Sequence, residues 1–124
     1  MSGRATRGDL WRFVREQPDA WKRERLLIVA LDAEQGVVGM AEVPPDGLNA
    51  VRVRELFKDI PLTRVEALIG LHNSPGAHRR STAREAAITK QLERVAADLG
   101  VQLLDHLTFC QGRYQSMIDG RRRL

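Results

Sequence analysis

The chain has 124 residues, 43% hydrophobic and 29% charged, which suits one packed domain and excludes two independent cores or a disordered chain. No run approaches the roughly 18 apolar residues that cross a bilayer, and Met1-Ser2-Gly3-Arg4 opens no apolar signal segment. The expectation is a soluble, cytoplasmic protein with no membrane association. Twenty basic residues, seventeen of them Arg, against sixteen acidic ones give a formal charge of +4 and a pI near 10.0. Arg grips phosphate and carboxylate with a planar fork, so acidic partners fit this excess, although an Arg- and Ala-rich composition accounts for it as well. The single cysteine, Cys110, excludes an internal disulfide and a Cys-rich zinc site; its apolar surroundings mark it as a buried structural thiol.

Residues 1–23 read as an N-terminal arm, polar at first, with Asp9 capping a short helix over 10–17 that Pro18 ends. Trp11 and Trp21 flank that helix as packing anchors. The main domain spans 24–120 and begins with a continuous apolar run, residues 25–32, read as a buried strand. Ala33-Glu34-Gln35-Gly36 makes a hairpin turn into a second strand over 37–43. Pro44-Pro45-Asp46-Gly47 breaks the pattern before a helix over 51–58, with Val53, Leu56 and Phe57 inward. A buried strand over 66–71 runs directly into His72-Asn73-Ser74-Pro75-Gly76. The helix over 83–98 carries Ile88, Leu92, Val95 and Leu99 at helical spacing and stops at Gly100. Strands over 101–109 and 113–118 follow, joined by Cys110-Gln111-Gly112, and residues 121–124 form a basic tail. This order predicts a mixed α/β (α+β) domain, a sheet flanked by helices.

His72-Asn73-Ser74-Pro75, followed without a gap by Thr82, Glu85 and Thr89, resembles the metal motif of the RadC-like branch of the JAB/MPN (JAMM) family. Leu103-Leu104-Asp105-His106-Leu107 is similar to its Leu-Asp-His segment, and Gly112-Arg113-Tyr114 with Ser116 to its last strand. Upstream, Glu42-Val43 with Gly47, and Arg54-Glu55, resemble the segment of the family's catalytic Glu and the start of its first helix. The resemblance covers about residues 24–119. It implies a cytidine-deaminase-like three-layer architecture, a zinc-dependent peptidase or isopeptidase ancestry and an association with DNA repair. Long members carry an extra helical DNA-binding-type domain before this one, and the expectation from 124 residues is that it is not part of this chain.

In an active site of this kind two His and one Asp hold zinc and leave a position for water, whose proton a Glu takes. Position by position, the resemblance makes Glu42 the base, His72 the first ligand, Thr82 the oxyanion helper and Glu85 the third ligand. The second ligand would be Ser74, which has no imidazole. Thr82 adds a stiff β-branch where the family has Ser, and Glu85 sets the carboxylate one methylene further out. Thr82-x-x-Glu85 also reads as a helix capping box, Glu42 as a solvated edge residue, and His72 as either a satisfied structural histidine or a remnant of the site. His106 reads as a strand histidine hydrogen-bonded to its neighbourhood. His78 offers one rescue, a relocated triad of His72, His78 and Glu85.

The expectation is a degenerate domain, metal-free, that binds a protein or peptide segment without cleaving it. Two alternatives stand beside it. One is a zinc-dependent metallopeptidase or isopeptidase with a relocated or altered site. The other is a DNA-associated factor contacting phosphates through Arg79, Arg80 and Arg84 and through Arg121, Arg122 and Arg123.

Overall fold

The structure, a computed structural model, describes residues 24–43, 53–73, 82–110 and 113–118, together with Arg12 and Glu16. Strand β1 (Arg25–Leu31) is buried from Leu26 onward, as its unbroken apolar run requires. Asp32 then builds the turn: its Oδ1 accepts the Glu34 and Gly36 amides at 3.0 and 2.8 Å, and Gln35 takes a left-handed conformation with φ 64°. Strand β2 (Val37–Val43) returns antiparallel along β1. Helix α1 (Val53–Leu56) ends two residues before the predicted end; Phe57 turns out of it into the core, and a 3-10 turn over Leu62–Arg64 leads onward.

Strand β3 (Ala67–Asn73) pairs antiparallel with β1 on one side and parallel with strand β4 (Gln102–Cys110) on the other. It runs two residues past the predicted end, so His72 and Asn73 belong to the ladder, opposite Leu26 and Arg25. Helix α2 (Thr82–Leu99) makes the crossover between the parallel strands. Its C-terminus is a Schellman turn: Gly100, at φ 73°, and Val101 donate their amides to the carbonyls of Ala97 and Ala96. Strand β5 (Arg113–Ser116) closes the sheet antiparallel to β4, giving the order β2-β1-β3-β4-β5. The mixed sheet with α2 packed on it is the expected α+β class. Of the predicted helix over 10–17, Arg12 and Glu16 are described, both in helical conformation, and the basic tail lies outside the described residues.

Alternation divides the sheet into two apolar faces. Leu26, Ile28 and Ala30 join Leu68 and the α2 residues Ile88, Leu92, Val95 and Ala96. Leu27, Val29 and Leu31 join Ile69, Leu71, Leu107 and Phe109 on the other face. Two local features set the helix face. Gly70 has no Cβ, and one built there would lie 2.5 Å from Leu92 Cδ1, so a side chain at this position would force Leu92 to shift. The β3–β4 register also slips by one residue, with Leu68 opposite Leu103 and Ile69 opposite Asp105. Leu104 is the extra residue, and the bulge turns His106 rather than Asp105 to the position beside Gly70. No helix among the described residues is long and apolar enough to cross a membrane.

Gly70→Ala is expected to destabilise the domain by about 1–3 kcal/mol through overpacking against Leu92. Chemical denaturation measures it, and Leu92→Val in the same chain should recover part of the loss.

Candidate functional site

Three elements converge on one buried polar cluster inside the apolar helix face. From β3, the alternation that points Leu68 inward also points His72 toward α2. From β4, the bulge brings His106 to the same face. From α2, Glu85 and Thr89 stand one turn apart and so project together over the two strands. His72, His106, Glu85 and Thr89 are all buried.

The contacts form a chain. Glu24, just before β1, meets His72 Nε2 through its Oε2 at 2.7 Å. His72 Nδ1 meets Glu85 Oε1 at 2.9 Å. Glu85 Oε1 lies 3.6 Å from His106 Nε2, and the two imidazole rings are tilted at 32° with centroids 6.3 Å apart. His106 Nδ1 meets Thr89 Oγ1 at 2.7 Å, and that hydroxyl donates to the Glu85 carbonyl at 3.0 Å. A hydroxyl has one proton, so Thr89 accepts the hydrogen bond from His106, which fixes the His106 Nδ1–H. Glu85 lies in the first turn of α2, where the helix dipole favours a carboxylate. The nearest donor atoms of His72, Glu85 and His106 all lie within 4.8 Å of one another, close enough to share one metal ion.

The residues expected from sequence divide clearly. His72 and Glu85 meet directly. The Glu85 carboxylate meets His72 through its Oε1, both groups being buried, and the capping box read from Thr82 and Glu85 lies outside the described side chains. Glu42 is not brought to the cluster. It pairs with Leu27, so it projects on the sheet face away from α2, where Arg25 Nε and Nη2 hold its carboxylate at 2.9 and 2.8 Å. An odd–even difference along the antiparallel ladder decides this, since Leu26, opposite His72, faces the helix and Leu27 does not. Ser74, His78, Arg79, Arg80 and Arg121 to Arg123 lie outside the described residues; Thr82 begins α2, and its side chain and that of Arg84 are likewise outside them.

His106 is hydrogen-bonded within its surroundings, as expected, yet it also faces Glu85. Sequence reasoning passed over Glu24 altogether. Its one signal is parity: it precedes Leu26 and Ile28 by an even number of residues and so shares their face. On the opposite face, Asp105 Oδ1 accepts from Ser116 Oγ at 2.6 Å and from the His106 amide at 2.9 Å. Two segments of the family resemblance are thus joined by one buried carboxylate.

Comparison with known proteins gives the family. The RadC-like JAB domain matches residues 5–123. The chain belongs to the RadC-like JAB domain family. Among its relatives, a UPF0758 protein of Desulfitobacterium hafniense is 29% identical over 111 residues, covering 88% of this chain and 49% of the relative. One from Methanospirillum hungatei is 30% identical over 97 residues, 77% of this chain and 43% of the relative. One from Clostridium acetobutylicum is 28% identical over 107 residues, with 85% and 47% covered. This RadC-like chain spans about half the length of the curated relatives it matches.

Thr89→Val keeps the shape of the side chain and removes the acceptor of the buried His106 Nδ1–H. The expected loss of stability is about 1–3 kcal/mol, read as a lowered denaturation midpoint.

Proposed function

We propose that this RadC-like JAB domain is a non-catalytic or weakly active member of its family that binds a protein or peptide segment without hydrolysing it. The observation that carries this reading is the separation of Glu42 from His72 by the thickness of the sheet. Hydrolysis of this type needs zinc to acidify a water and a carboxylate beside that water to take its proton. Glu42 stands on the wrong face for that role and is held there by a two-point ion pair with Arg25. Ser74 further withholds the second imidazole of the family motif. A link to DNA repair through direct DNA contact would rest on Arg79, Arg80 and Arg121 to Arg123, which lie outside the described residues.

A second reading is a zinc-dependent hydrolase working from an altered site. The His72–Glu85–His106 cluster favours it, with Glu24 as the carboxylate closest to His72.

One assay separates the two. The purified chain, supplied with zinc, is incubated with fluorogenic peptides and isopeptide-linked substrates. The expected result is no cleavage above a protein-free control. Turnover that is abolished by chelation and by Glu24→Gln, and survives Glu42→Gln, would establish the second reading. Turnover lost in Glu42→Gln would overturn the placement of Glu42 on which the first one stands.

A further inference from the structure

The sequence motif leaves the metal centre one imidazole short at Ser74, and the tertiary structure brings another into reach from a different strand. We propose that His72 Nδ1, Glu85 Oε1 and His106 Nε2 bind one zinc-class divalent cation, with His106 supplying the imidazole that the His72-Asn73-Ser74-Pro75 motif lacks. The site does not depend on whether the domain hydrolyses anything.

Spacing is the first argument. Ligand bonds of about 2.0–2.1 Å in a tetrahedral site place neighbouring donor atoms about 3.3 Å apart. Glu85 Oε1 stands 2.9 Å from His72 Nδ1 and 3.6 Å from His106 Nε2, values that bracket this separation. A small shift of the Glu85 side chain brings both to it, and the two imidazole donors, within 4.8 Å of the others, close further on a bound ion.

The outer nitrogens supply the second argument. A ligating histidine nearly always donates its other ring N–H to a fixed acceptor, which sets the tautomer and the aim of the ring. Both histidines here have that partner on the side away from Glu85. His72 Nε2 is held by the Glu24 carboxylate, and His106 Nδ1 by the Thr89 hydroxyl. Thr89 spends its only proton on the Glu85 carbonyl, so in the neutral His106 ring the lone pair resides on Nε2, the atom facing Glu85. The two inward atoms, His72 Nδ1 and His106 Nε2, therefore converge on one carboxylate oxygen from two adjacent strands.

The donor set names the class of cation. Two imidazoles and one carboxylate suit zinc and its neighbours cobalt and nickel, whereas calcium and magnesium require six or more oxygen donors. Burial adds to the argument, because a divalent ion between His72 and Glu85 replaces the proton that their 2.9 Å contact otherwise holds, and leaves neither group desolvated without a partner. Two paired strands and a helix turn hold the three ligands, a more rigid frame than a loop provides.

The test uses the full chain stripped with chelator, titrated with zinc by calorimetry and with cobalt by visible absorption. One equivalent of zinc is expected, together with the intense d–d bands of a four-coordinate cobalt site. His106→Ala should weaken zinc binding by at least about 100-fold, and Thr89→Val, which removes only the tautomer-setting hydroxyl, by about 10–100-fold with stoichiometry retained. Ser74→Ala should leave the affinity unchanged. Circular dichroism verifies that each variant is folded, and Thr89→Val together with Ser74→Ala decides the matter if His106→Ala is not. The proposal is overturned if the folded chain gives neither heat nor cobalt bands, if binding is indifferent to His106 and Thr89, or if it is lost in Ser74→Ala.

Discussion

Leu92 packs into space that a side chain on residue 70 would otherwise occupy, and the height of helix α2 above the sheet follows from that contact. Helices pack on sheets at a distance set by the side chains between them, so a glycine at the crossing point lets the helix settle closer. One turn toward its N-terminus from Thr89, the same helix carries Glu85, and both lean over the two parallel strands. A helix held further out would leave Glu85 short of His72 and Thr89 short of His106. The polar cluster is thus a consequence of an apolar contact a few residues away.

Burying two histidines and a glutamate within an aliphatic face carries a large desolvation cost unless each polar atom is met. The chain of contacts from Glu24 through His72 and Glu85 to His106 and Thr89 meets most of that demand; His106 Nε2 stands 3.6 Å from Glu85 Oε1, and the outer end, Glu24, is partly exposed. Such a network tolerates few substitutions, because removing one member strands its neighbour in a medium of low dielectric. His72 and the carboxylate at position 85 are thus held by the buried network itself, whatever chemistry the domain performs. The exposed Arg25–Glu42 pair on the far face carries no such constraint, since solvent screens it and can replace either partner.

Membership of the RadC-like JAB family fixes the ancestry of the site, and the arrangement of side chains fixes what remains of it. Glu42 on the opposite face of the sheet from His72, and a serine at position 74, are what the proposed loss of hydrolysis rests on. The nearness of His106 on β4 to His72 and Glu85 is what the proposed cation site rests on. These statements are compatible, because metal binding needs converging donors alone, while hydrolysis needs in addition a placed water and a proton acceptor.

Periodicity made most of the elements legible. The apolar run of β1, the i, i+4, i+7 pattern of α2 and the glycine at its end are local signals, and local physics determines them. The motif around His72 and the carboxylate at position 85 were equally visible, and so was the resemblance that they carry. Three things were not. The two-residue extension of β3 depends on pairing with β1 and β4 on either side, which no stretch of β3 contains. The face on which Glu42 lies follows from the register of an antiparallel ladder, where one residue of slip exchanges the two sides of the sheet. The aim of His106 depends on the bulge at Leu104, a mismatch between strands more than thirty residues apart in the chain. Sequence alone determined which residue types were available; cross-strand register, a property of two segments at once, decided which of them meet.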